Sequence, residues 1–355
     1  MKQVVFLADS ISSQSAGIHY YGLQLIDGIL KTFPNYDYHS ISSSRIDVDN
    51  IEQHIVAINT NIPLHLRVRQ LTSVPKLVNS LDPDIVIELA HFGPFNVKSS
   101  ARRLTVIHDM TAITHPQFHS KSSHYIQRLT LPKIVKQADQ IIANSTFTKS
   151  EISRVLGTDY SNKIDVLYPS VKPMQYTNAD VPVATPFLLS VGTIEPRKNY
   201  LSVLKAFEQF YSSYPTYKLV IIGRKGWQNE GLYDYWQQST AKDAIHIIED
   251  VSDDSLHAYY KAATAFISAS HVEGFGLPIL EAASCGVPLI VANNSSQKEI
   301  LRDFGLSFND TPELVANLIL IAEDASELDR LRSKSKELNA DIASIRKQQF
   351  EALDL

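Results

Sequence analysis

Two short stretches of the chain combine cations, glycines and carboxylates in an order that suits a negatively charged ligand. The first, residues 192–199, reads Gly-Thr-Ile-Glu-Pro-Arg-Lys-Asn. The second, residues 273–282, reads Glu-Gly-Phe-Gly-Leu-Pro-Ile-Leu-Glu-Ala. Each follows an apolar, β-rich run and opens a helical segment. Cations, backbone amides at a helix start and a carboxylate within reach of a ribose together predict a receptacle for a sugar nucleotide.

Arg197 and Lys198 follow the predicted strand 187–191, at the strand end where α/β sheets bind ligands. A leaving nucleoside diphosphate gains negative charge, and fixed cations stabilise that charge more in the transition state than in the ground state. Alternatively, the two cations begin a solvated helix, although cations there oppose the helix dipole. Gly192 and Asn199, at the two ends of this stretch, are included among the predicted donor-binding residues.

The second stretch predicts a close approach between backbone and ligand. Gly274 and Gly276 flank Phe275, and glycine permits such an approach. A helix is predicted from about Leu277, and its first amides can bind an anion. Pro278 suits the first helical turn because that turn does not use its missing N–H. Residues 274–277 are therefore predicted to contact the donor.

The same stretch places two glutamates, Glu273 and Glu281, eight positions apart. Separately, one is an ordinary helix-start residue and the other an ordinary helix-surface residue. Together with Arg197 and Lys198 they resemble the family 4 glycosyltransferases of the GT-B fold, whose signature is an E-x7-E element. The resemblance implies that Glu281 hydrogen-bonds the ribose hydroxyls and that Glu273 contacts the transferred sugar or lies beside it. It also implies that Arg197 and Lys198 bind the donor diphosphate.

The fold predicted from the residue pattern is α/β, because short runs rich in Val and Ile alternate with longer amphipathic segments. The resemblance implies the GT-B arrangement of two Rossmann-like parallel-sheet domains facing each other across a cleft. A proline-rich linker at 168–186 places the boundary near residue 178. We expect an acceptor-binding domain at 1–178, a donor-binding domain at 179–339, and a helix at about 340–355 that crosses back to the first domain.

The individual elements follow from the same pattern. Two C-terminal helices are predicted, at 313–323 and 326–353, with a weak point near Asn339. Relatives commonly carry a Ser-Trp element in the last helix, where this chain has Ser344-Ile345-Arg346. Ten strands are predicted, at 4–8, 85–89, 104–108, 140–143, 164–167, 187–191, 219–222, 245–248, 265–268 and 288–291.

Composition limits the class of protein. The 355 residues are 44% hydrophobic and carry a net charge of -5, so no global charge favours nucleic acid. The single cysteine, Cys285, excludes a disulfide framework and fits a reducing compartment. The first apolar run is too short for a signal peptide, and no stretch has the length of a transmembrane helix. We expect a cytoplasmic enzyme.

The first half offers candidates for the acceptor side. A predicted strand ends at His108-Asp109, and the resemblance implies that His108 reaches the transferred sugar, whereas a lone histidine there is more often structural. The loop 10–17 resembles the family's first glycine-containing loop, which implies a donor contact at Gly17, although a simple helix-capping loop fits nearly as well. Four more histidines flank this region: His91, His115, His119 and His124.

The nucleobase is expected near residues 249–252, after the strand 245–248, because relatives hold the base there through backbone groups. Asp250 and Val251 are the predicted contacts, but such contacts do not specify the base. A second basic loop, residues 223–226, ends another strand at the same sheet edge. It suits a phosphate contact and a charged turn equally.

No metal and no other cofactor is predicted. The D-x-D patterns at 47–49 and 82–84 resemble chelating motifs of another glycosyltransferase fold. The second suits a turn before a strand, and the first lies in a polar segment expected to lead to a helix. GT-B relatives use basic side chains and helix dipoles instead. None of the 12 histidines has a spacing typical of metal ligands.

Residues 98–136 carry seven cations and one acidic residue, Asp109, in a chain that is otherwise acidic. This asymmetry predicts attraction to an anionic membrane or a diphosphate-linked acceptor, with an ordinary basic helix face as the alternative. Many relatives act at the inner membrane face, which implies a peripheral location. The cations are Lys98, Arg102, Arg103, Lys121, Arg128, Lys133 and Lys136.

The resemblance implies transfer of a sugar with retention, by a front-side mechanism in which the leaving diphosphate takes the acceptor's proton. The predicted substrates are a nucleoside-diphosphate sugar and a glycan or lipid-linked acceptor of cell-surface polysaccharide assembly. Residues 192–199 most resemble bacterial mannosyl- and rhamnosyltransferases, which favours GDP-mannose. The alternatives are a GT-B sugar-nucleotide epimerase and a non-catalytic sugar-nucleotide-binding subunit. A phosphorylase would need a pyridoxal-bearing lysine, for which no matching context is present.

Overall fold

The computed structural model describes residues 1–12, 16–59, 61, 65–90, 97, 100–171, 181–249 and 251–355. The chain divides into two compact units. The first comprises Met1–Ser170 and Ile345–Leu355, and the second comprises Val171–Ser344. The boundary predicted near residue 178 lies outside the described residues. In the described part of the chain, no helix combines the length and apolar character that crossing a membrane requires.

The first unit is built on a parallel sheet. Its described residues form seven strands in the order β3-β2-β1-β4-β5-β6-β7, so the direction of winding reverses between β1 and β4. The strands are β1 (Gln3–Leu7), β2 (Asp37–Ser42), β3 (Glu52–Ile55), β4 (Ile85–Glu88), β5 (Arg102–Ile107), β6 (Gln140–Ala143) and β7 (Ile164–Val166).

Helices cover both faces of this sheet, which explains why the central strands β1, β4 and β6 are mostly apolar. Helix α2 packs on one face together with the last residues of the chain. Helix α4 packs on the other face. The helices are α1 (Asp9–Ser12), α2 (Ala16–Thr32), α3 (His65–Leu71), α4 (Ser73–Leu81), α5 (Thr111–Thr114), α6 (Lys121–Gln137) and α7 (Thr146–Leu156).

The second unit holds another parallel sheet. Its described residues form six strands in the order β10-β9-β8-β11-β12-β13, with the reversal between β8 and β11. The strands are β8 (Phe187–Val191), β9 (Lys218–Ile222), β10 (Ile245–Ile248), β11 (Ala265–Ser268), β12 (Leu289–Ala292) and β13 (Leu306–Phe308). The two sheets confirm the predicted α/β class with two Rossmann-like halves.

The helices of the second unit alternate with these strands. They are α8 (Tyr200–Tyr211), α9 (Glu230–Gln238), α10 (Asp253–Ala262), α11 (Leu277–Ser284), α12 (Ser295–Leu301), α13 (Thr311–Glu323) and α14 (Ala325–Glu351). Helix α14 continues through Asn339, where a weak point was predicted. Asparagine has only moderately poor helix propensity, and one such residue does not interrupt a 27-residue helix.

The end of α14 packs on the first unit. Arg346 Nε donates to the Tyr168 carbonyl over 2.9 Å, and the Gln349 side chain accepts from the Tyr168 amide over 2.8 Å. The Phe350 ring covers Gly28 so closely that a Cβ built there would lie 2.3 Å from it. Arg346 itself stacks on Phe350, at 4.6 Å from the ring centroid. Packing and hydrogen bonds thus anchor this segment without the Ser-Trp element.

Candidate active site

The two predicted motifs follow neighbouring strands, β8 and β11, at the reversal point of the second sheet. β8 and β11 pair directly, with Leu188 opposite Ala265 and Leu189 opposite Phe266. Residues 192–199 follow the carboxyl end of β8, and residues 269–276 follow that of β11. Open α/β sheets bind ligands outside the carboxyl ends of strands at such a point. The fold thus brings together segments that are about seventy residues apart in sequence.

An ionic cluster of two buried carboxylates and two partly buried cations joins the two segments. Arg197 Nη1 lies 2.6 Å from Glu273 Oε2, and Lys198 Nζ lies 2.6 Å from Glu273 Oε1. The Ser270 hydroxyl donates to the same Oε1 over 2.7 Å. A second carboxylate, Glu195, lies 2.6 Å from Arg197 Nη2. The predicted neighbourhood of Arg197, Lys198 and Glu273 is therefore a directly bonded set, in which Glu273 receives both cations.

These contacts determine the protonation state of Glu273, which is 8% exposed. Burial raises the pKa of its carboxyl, but the opposing effects of Arg197, Lys198 and the hydrogen bonds are larger, so the pKa falls to about 2. Glu273 is ionised at neutral pH and is therefore unsuited to act as a general acid. Both of its oxygens accept charge-assisted hydrogen bonds, which also makes it a poor nucleophile.

Glu281 is in a different environment on α11. Tyr260, which is fully buried, donates its hydroxyl proton to Glu281 Oε2 over 2.7 Å. Burial raises the pKa of the Glu281 carboxyl and Asp253 adds to this, whereas the Tyr260 hydrogen bond and Lys198 oppose it. The tyrosine holds the carboxylate in one orientation through Oε2, so Oε1 is the oxygen better placed for a hydroxyl-bearing ligand.

The turn after β8 depends on glycine. Gly192 has φ of 144°, and a Cβ built there would lie 3.1 Å from Lys198 Cε. Tyr200 donates its hydroxyl proton to the Gly192 carbonyl over 2.9 Å. On the neighbouring strand, a Cβ at Gly223 would lie 1.9 Å from that same carbonyl oxygen. The close backbone approach at Gly192 therefore requires glycine on both strands.

Asn199 ends this turn in the left-handed region, at φ of 53°. Asparagine tolerates that conformation better than most residues. Asn199 also lines a cavity of about 300 Å³ at the same sheet edge, together with Ser202, Ala269, His271, Ala292, Asn293, Asn294, Phe308, Asn309, Asp310 and Thr311.

The loop that begins at Glu273 is fixed by one hydroxyl. Ser296, fully buried, lies 2.8 Å from the Glu273 carbonyl and 2.7 Å from the Phe275 carbonyl, with its hydroxyl directed at both. Gly274 and Phe275 are buried. The Glu273 amide donates to Ser295 Oγ over 3.1 Å. Residues at the start of α12 thus set the path of the predicted donor loop.

Helix α11 begins where the sequence predicted. Gly276 precedes it at φ of 110°, and a Cβ there would press on Ile279 Cδ1 at 3.1 Å. Leu277 is the first helical residue, and Pro278 lies in the first turn. The glycine allows the chain to turn sharply into the helix, which leaves the first backbone amides at the sheet edge.

Polar residues after β12 also hold the segment that follows β11. These residues were not predicted from the sequence. Gln297 Nε2 donates to the Ser270 carbonyl over 2.8 Å, and Asn294 Nδ2 donates to the same carbonyl over 3.1 Å. The Ser268 hydroxyl donates to Gln297 Oε1 over 2.5 Å. The available signal was the polar run 293–297 directly after an apolar strand, which repeats the pattern of the other two strand ends.

The predicted nucleobase region is described in part. Asp250 lies outside the described residues, whereas Val251 is half-buried in the loop after β10. In the basic loop, the Arg224 carbonyl accepts from the Ile194 amide over 2.9 Å. Lys225 Nζ lies 5.0 Å from the centroid of the Tyr233 ring. This loop therefore supports the turn after β8 through its backbone, while a phosphate contact stays a prediction.

His108 lies in the first unit, directly after β5. It is 6% exposed, and its Nε2 lies 2.9 Å from the Leu89 carbonyl oxygen. Because a carbonyl only accepts, Nε2 must carry the proton in this contact. Tyr21 packs edge-on against the ring at 5.2 Å. Asp109 accepts from the Thr111 amide over 2.9 Å, which makes it a local turn residue.

Of the other predicted first-unit residues, Gly17 is the second residue of α2. The expected loop 10–17 is partly helical, because α1 covers Asp9–Ser12, and residues 13–15 lie outside the described part. His91 also lies outside it. His115, His119 and His124 bond to neighbouring groups, respectively Thr114 Oγ1, Thr111 Oγ1 and the Ala112 carbonyl.

Comparison with known families identifies the class of protein. Residues 178–338 match the family described as glycosyl transferases group 1, and residues 35–174 match the one described as glycosyltransferase family 4. The chain therefore carries a glycosyltransferase family 4 domain followed by a glycosyl transferases group 1 domain.

Among its relatives, O-antigen chain mannosyltransferase B of Escherichia coli is 31% identical over 237 residues, which are 63% of this chain and 62% of the relative. The serotype-specific mannosyltransferase WbdA of Escherichia coli is 26% identical over 234 residues, 60% of this chain and 29% of the relative. The chain thus spans less than two thirds of the length of these relatives. The crystal structure of Anabaena HepE with UDP-glucose superposes with a TM-score of 0.75 at 17% identity, covering 99% of both chains.

Proposed function

We propose that the protein transfers a sugar, with retention of configuration, from a nucleoside-diphosphate sugar to a glycan or lipid-linked acceptor of cell-surface polysaccharide assembly. The observation that carries this proposal is the cluster of Arg197, Lys198 and Glu273 at the reversal point between β8 and β11. It combines a pair of cations suited to a diphosphate with an ionised carboxylate suited to sugar hydroxyls.

The proposed mechanism follows from the charges of this cluster. As the glycosidic bond breaks, Arg197 and Lys198 stabilise the negative charge that develops on the leaving diphosphate. That diphosphate accepts the proton of the incoming acceptor hydroxyl. Glu273, ionised and held through both oxygens, orients the sugar and does not attack it. His108, whose Nε2 donates to Leu89, supplies a second positioning contact to the sugar.

The favoured donor is GDP-mannose. Two relatives carry the name mannosyltransferase, and the stretch 192–199 resembles that of mannosyl- and rhamnosyltransferases. HepE, of similar fold, is described with UDP-glucose. Glu281, oriented by Tyr260, is proposed to bind the ribose hydroxyls, which GDP- and UDP-sugars share. The base must therefore be identified by experiment.

The first experiment is a thermal-shift and donor-hydrolysis panel with GDP-, UDP- and dTDP-sugars, with and without EDTA. We expect stabilisation by GDP-mannose that EDTA does not remove. Glu281→Gln is expected to weaken nucleotide binding roughly 10–100-fold, since a hydrogen bond to a charged group contributes about 1.5–3 kcal/mol. Glu337→Gln, on the exposed surface of α14, serves as the matched control.

Product analysis separates the proposal from its alternatives. Transfer yields a free nucleoside diphosphate and a glycoside, whereas an epimerase yields an altered sugar nucleotide. A binder without catalysis would be stabilised by nucleotide but would release no diphosphate even with acceptor present. A response that requires Mg²⁺ or Mn²⁺ would contradict the metal-independent mechanism.

We also propose that α6 contacts an anionic membrane surface from the inner, cytoplasmic side. Only some cations of the basic segment 98–136 are free to contact a membrane surface. Arg103 is buried in an ion pair with Glu88, Arg102 lies 3.2 Å from Asp354, and Lys98 lies outside the described residues. The four remaining cations are exposed on α6 beside three exposed apolar side chains: Lys121, Arg128, Lys133 and Lys136 with Tyr125, Ile126 and Leu129.

This surface of α6 has the composition of an interfacial helix, because apolar residues at i, i+1 and i+4 lie among cations. Co-sedimentation with vesicles tests it. Binding is expected to increase with anionic lipid and to fall in Leu129→Glu, while Leu320→Glu on α13 leaves it unchanged. Equal sedimentation with zwitterionic and anionic vesicles would contradict the proposal.

A further inference from the structure

Three potential metal ligands converge at one edge of the first sheet, in the unit that does not carry the two donor motifs. They are His39 on β2 and Glu52 and His54 on the edge strand β3. The parallel register pairs His39 with Glu52 and Ile41 with His54. Since side chains alternate along a strand, all three project from the same face of the sheet.

The ligand atoms lie at distances that suit a shared ion. His39 Nδ1 is 3.1 Å from His54 Nε2 and 3.7 Å from Glu52 Oε2. His54 Nε2 is 3.7 Å from Glu52 Oε1. Zn²⁺ binds imidazole nitrogen and carboxylate oxygen at roughly 2.0–2.2 Å in a tetrahedron, which separates its ligand atoms by about 3.3 Å. Small side-chain adjustments would therefore suffice.

The second nitrogen of His39 is held as it is in established zinc sites. His39 Nε2 lies 3.2 Å from Asp37 Oδ2 and 2.9 Å from Gln3 Nε2, which can only donate. A metal ion on Nδ1 requires the proton on Nε2, directed at the Asp37 carboxylate, and requires the Gln3 amide to turn its oxygen toward that nitrogen. A carboxylate behind a histidine ligand fixes its tautomer and raises its basicity in the same way.

Accessibility also fits. His39 is almost fully buried, His54 is 20% exposed and the Glu52 side chain is 68% exposed, so an ion can enter from solvent and keep a water ligand. The alternative without a metal is a hydrogen bond between the two imidazoles, with Asp37 and Glu52 as ion-pair partners of a protonated ring. Zinc titration distinguishes the two arrangements.

We propose that His39, Glu52 and His54 bind one divalent transition-metal ion of the Zn²⁺ type, with water as the fourth ligand and Asp37 orienting His39. Two imidazoles and one carboxylate suit Zn²⁺ better than Mg²⁺ or Ca²⁺, which prefer oxygen ligands. The ion would join the four-residue edge strand β3 to β2. The site is independent of the proposed sugar transfer.

The test uses the 355-residue chain without an affinity tag, stripped of metal and titrated with Zn²⁺ against a chromophoric chelator. One ion per chain is expected, with Co²⁺ giving the visible absorption of a four-coordinate site. His54→Gln is expected to lose more than roughly 100-fold in affinity, and Asp37→Asn to lose about 10–100-fold, as found for the outer partners of histidine ligands. Zn²⁺ should raise the thermal midpoint of the wild type and leave that of His54→Gln unchanged.

The control is His246→Gln, which removes a histidine from β10, an edge strand of the other sheet. Its zinc affinity should match the wild type. Glu52→Gln, at a mostly exposed side chain, provides a ligand variant that the fold tolerates if His54→Gln unfolds. The proposal is overturned if wild-type chain binds no zinc at micromolar concentration, or if both ligand variants bind it as tightly as the wild type does.

Discussion

Two buried glutamates, one in each unit, bond to arginine and yet differ in acidity. Glu88 on β4 bonds to Arg103 on the neighbouring β5, and burial raises the pKa of its carboxyl despite the arginine. Glu273 bonds to Arg197 and Lys198 after β8 and β11, and its pKa falls to about 2. One cation and a hydroxyl do not offset the desolvation of Glu88, whereas two cations and a hydroxyl do offset that of Glu273.

The two sets also differ in position. Glu88 and Arg103 project from adjacent strands within the sheet, where Thr105 also donates to Glu88 over 3.0 Å. The Glu273 set lies on loops beyond the strand ends, where a ligand can reach the cations. We infer that the first pair is structural and the second functional. Variants at each set should therefore affect different quantities.

The largest effect on stability is expected for Arg103→Met. Removing one partner of a buried pair leaves a buried carboxylate without its cation, which typically costs about 3–5 kcal/mol. Urea unfolding measures this loss, and activity per folded molecule should stay near the wild-type value. Adding Glu88→Gln should recover much of the stability. A loss of turnover without a loss of stability would contradict the structural role.

The largest effect on catalysis is expected for Arg197→Ala with Lys198→Ala. Removing the groups that stabilise the leaving diphosphate should lower kcat by about 10²–10³-fold or more, by analogy with the loss of a charge-stabilising donor. Stability should also fall, by about 3 kcal/mol near neutral pH, because buried Glu273 loses both of its cations, so kcat is expressed per folded molecule. Steady-state kinetics with the identified donor, alongside urea unfolding, measures both. Normal turnover in the double variant would remove the donor-phosphate assignment.

A pH titration of stability should give slopes of opposite sign for the two glutamates. The pKa of Glu273 in the folded state, about 2, lies below the ordinary 4.5, so its contribution is present above pH 4.5 and is lost as pH falls towards 2. That contribution, about 3 kcal/mol near pH 6, should shrink by roughly half at pH 3. The raised pKa of Glu88 makes its contribution fall as pH rises.

Comparing the wild type with Glu273→Gln and with Glu88→Gln isolates the contribution of each glutamate to the pH dependence of stability. The stability difference between wild type and Glu273→Gln should narrow on acidification. The difference between wild type and Glu88→Gln should change in the opposite direction. Parallel pH profiles for the two variants would mean that the two carboxylates do not differ in acidity as the structure implies.

The smallest effect is expected for Tyr260→Phe. This change removes the hydrogen bond that orients Glu281 and keeps the ring, so nucleotide binding should weaken by about 0.5–1.5 kcal/mol, or several-fold. Isothermal titration with the nucleoside diphosphate measures it. Tyr259→Phe on the same helix is the matched control, and an equal effect in both variants would exclude a specific role for Tyr260.

Much of the fold was predictable because most of its strands contain a continuous apolar run. The structure contains all ten predicted strands to within one or two residues at each end. Strands β2, β3 and β13 were not predicted. β2 reads Asp-Tyr-His-Ser-Ile-Ser and β3 reads Glu-Gln-His-Ile, and the segment before β3 was wrongly expected to lead to a helix. Their side chains are polar, so only pairing with a neighbouring strand identifies them.

The candidate site was predictable where a motif carries charge and was not where it depends on pairing between distant segments. Arg197, Lys198 and Glu273 were identified from residue type and position. Their direct bonds and the contributions of Ser296 and Gln297 were not, because those follow from β8, β11 and β12 lying side by side. His39 and His54 were missed for the same reason, since their spacing of fifteen residues becomes a 3.1 Å contact only through strand register.

The hydroxyl of Ser296 has a consequence for protein engineering. It holds the carbonyls of Glu273 and Phe275 from a different strand-end segment, one that begins some twenty residues later. The E-x7-E motif therefore cannot be transferred to another protein on its own. Transplanting residues 270–281 into another parallel sheet also requires residues 294–297 and the strand before them. Without these residues, the loop between the two glutamates loses the hydroxyl that fixes its path.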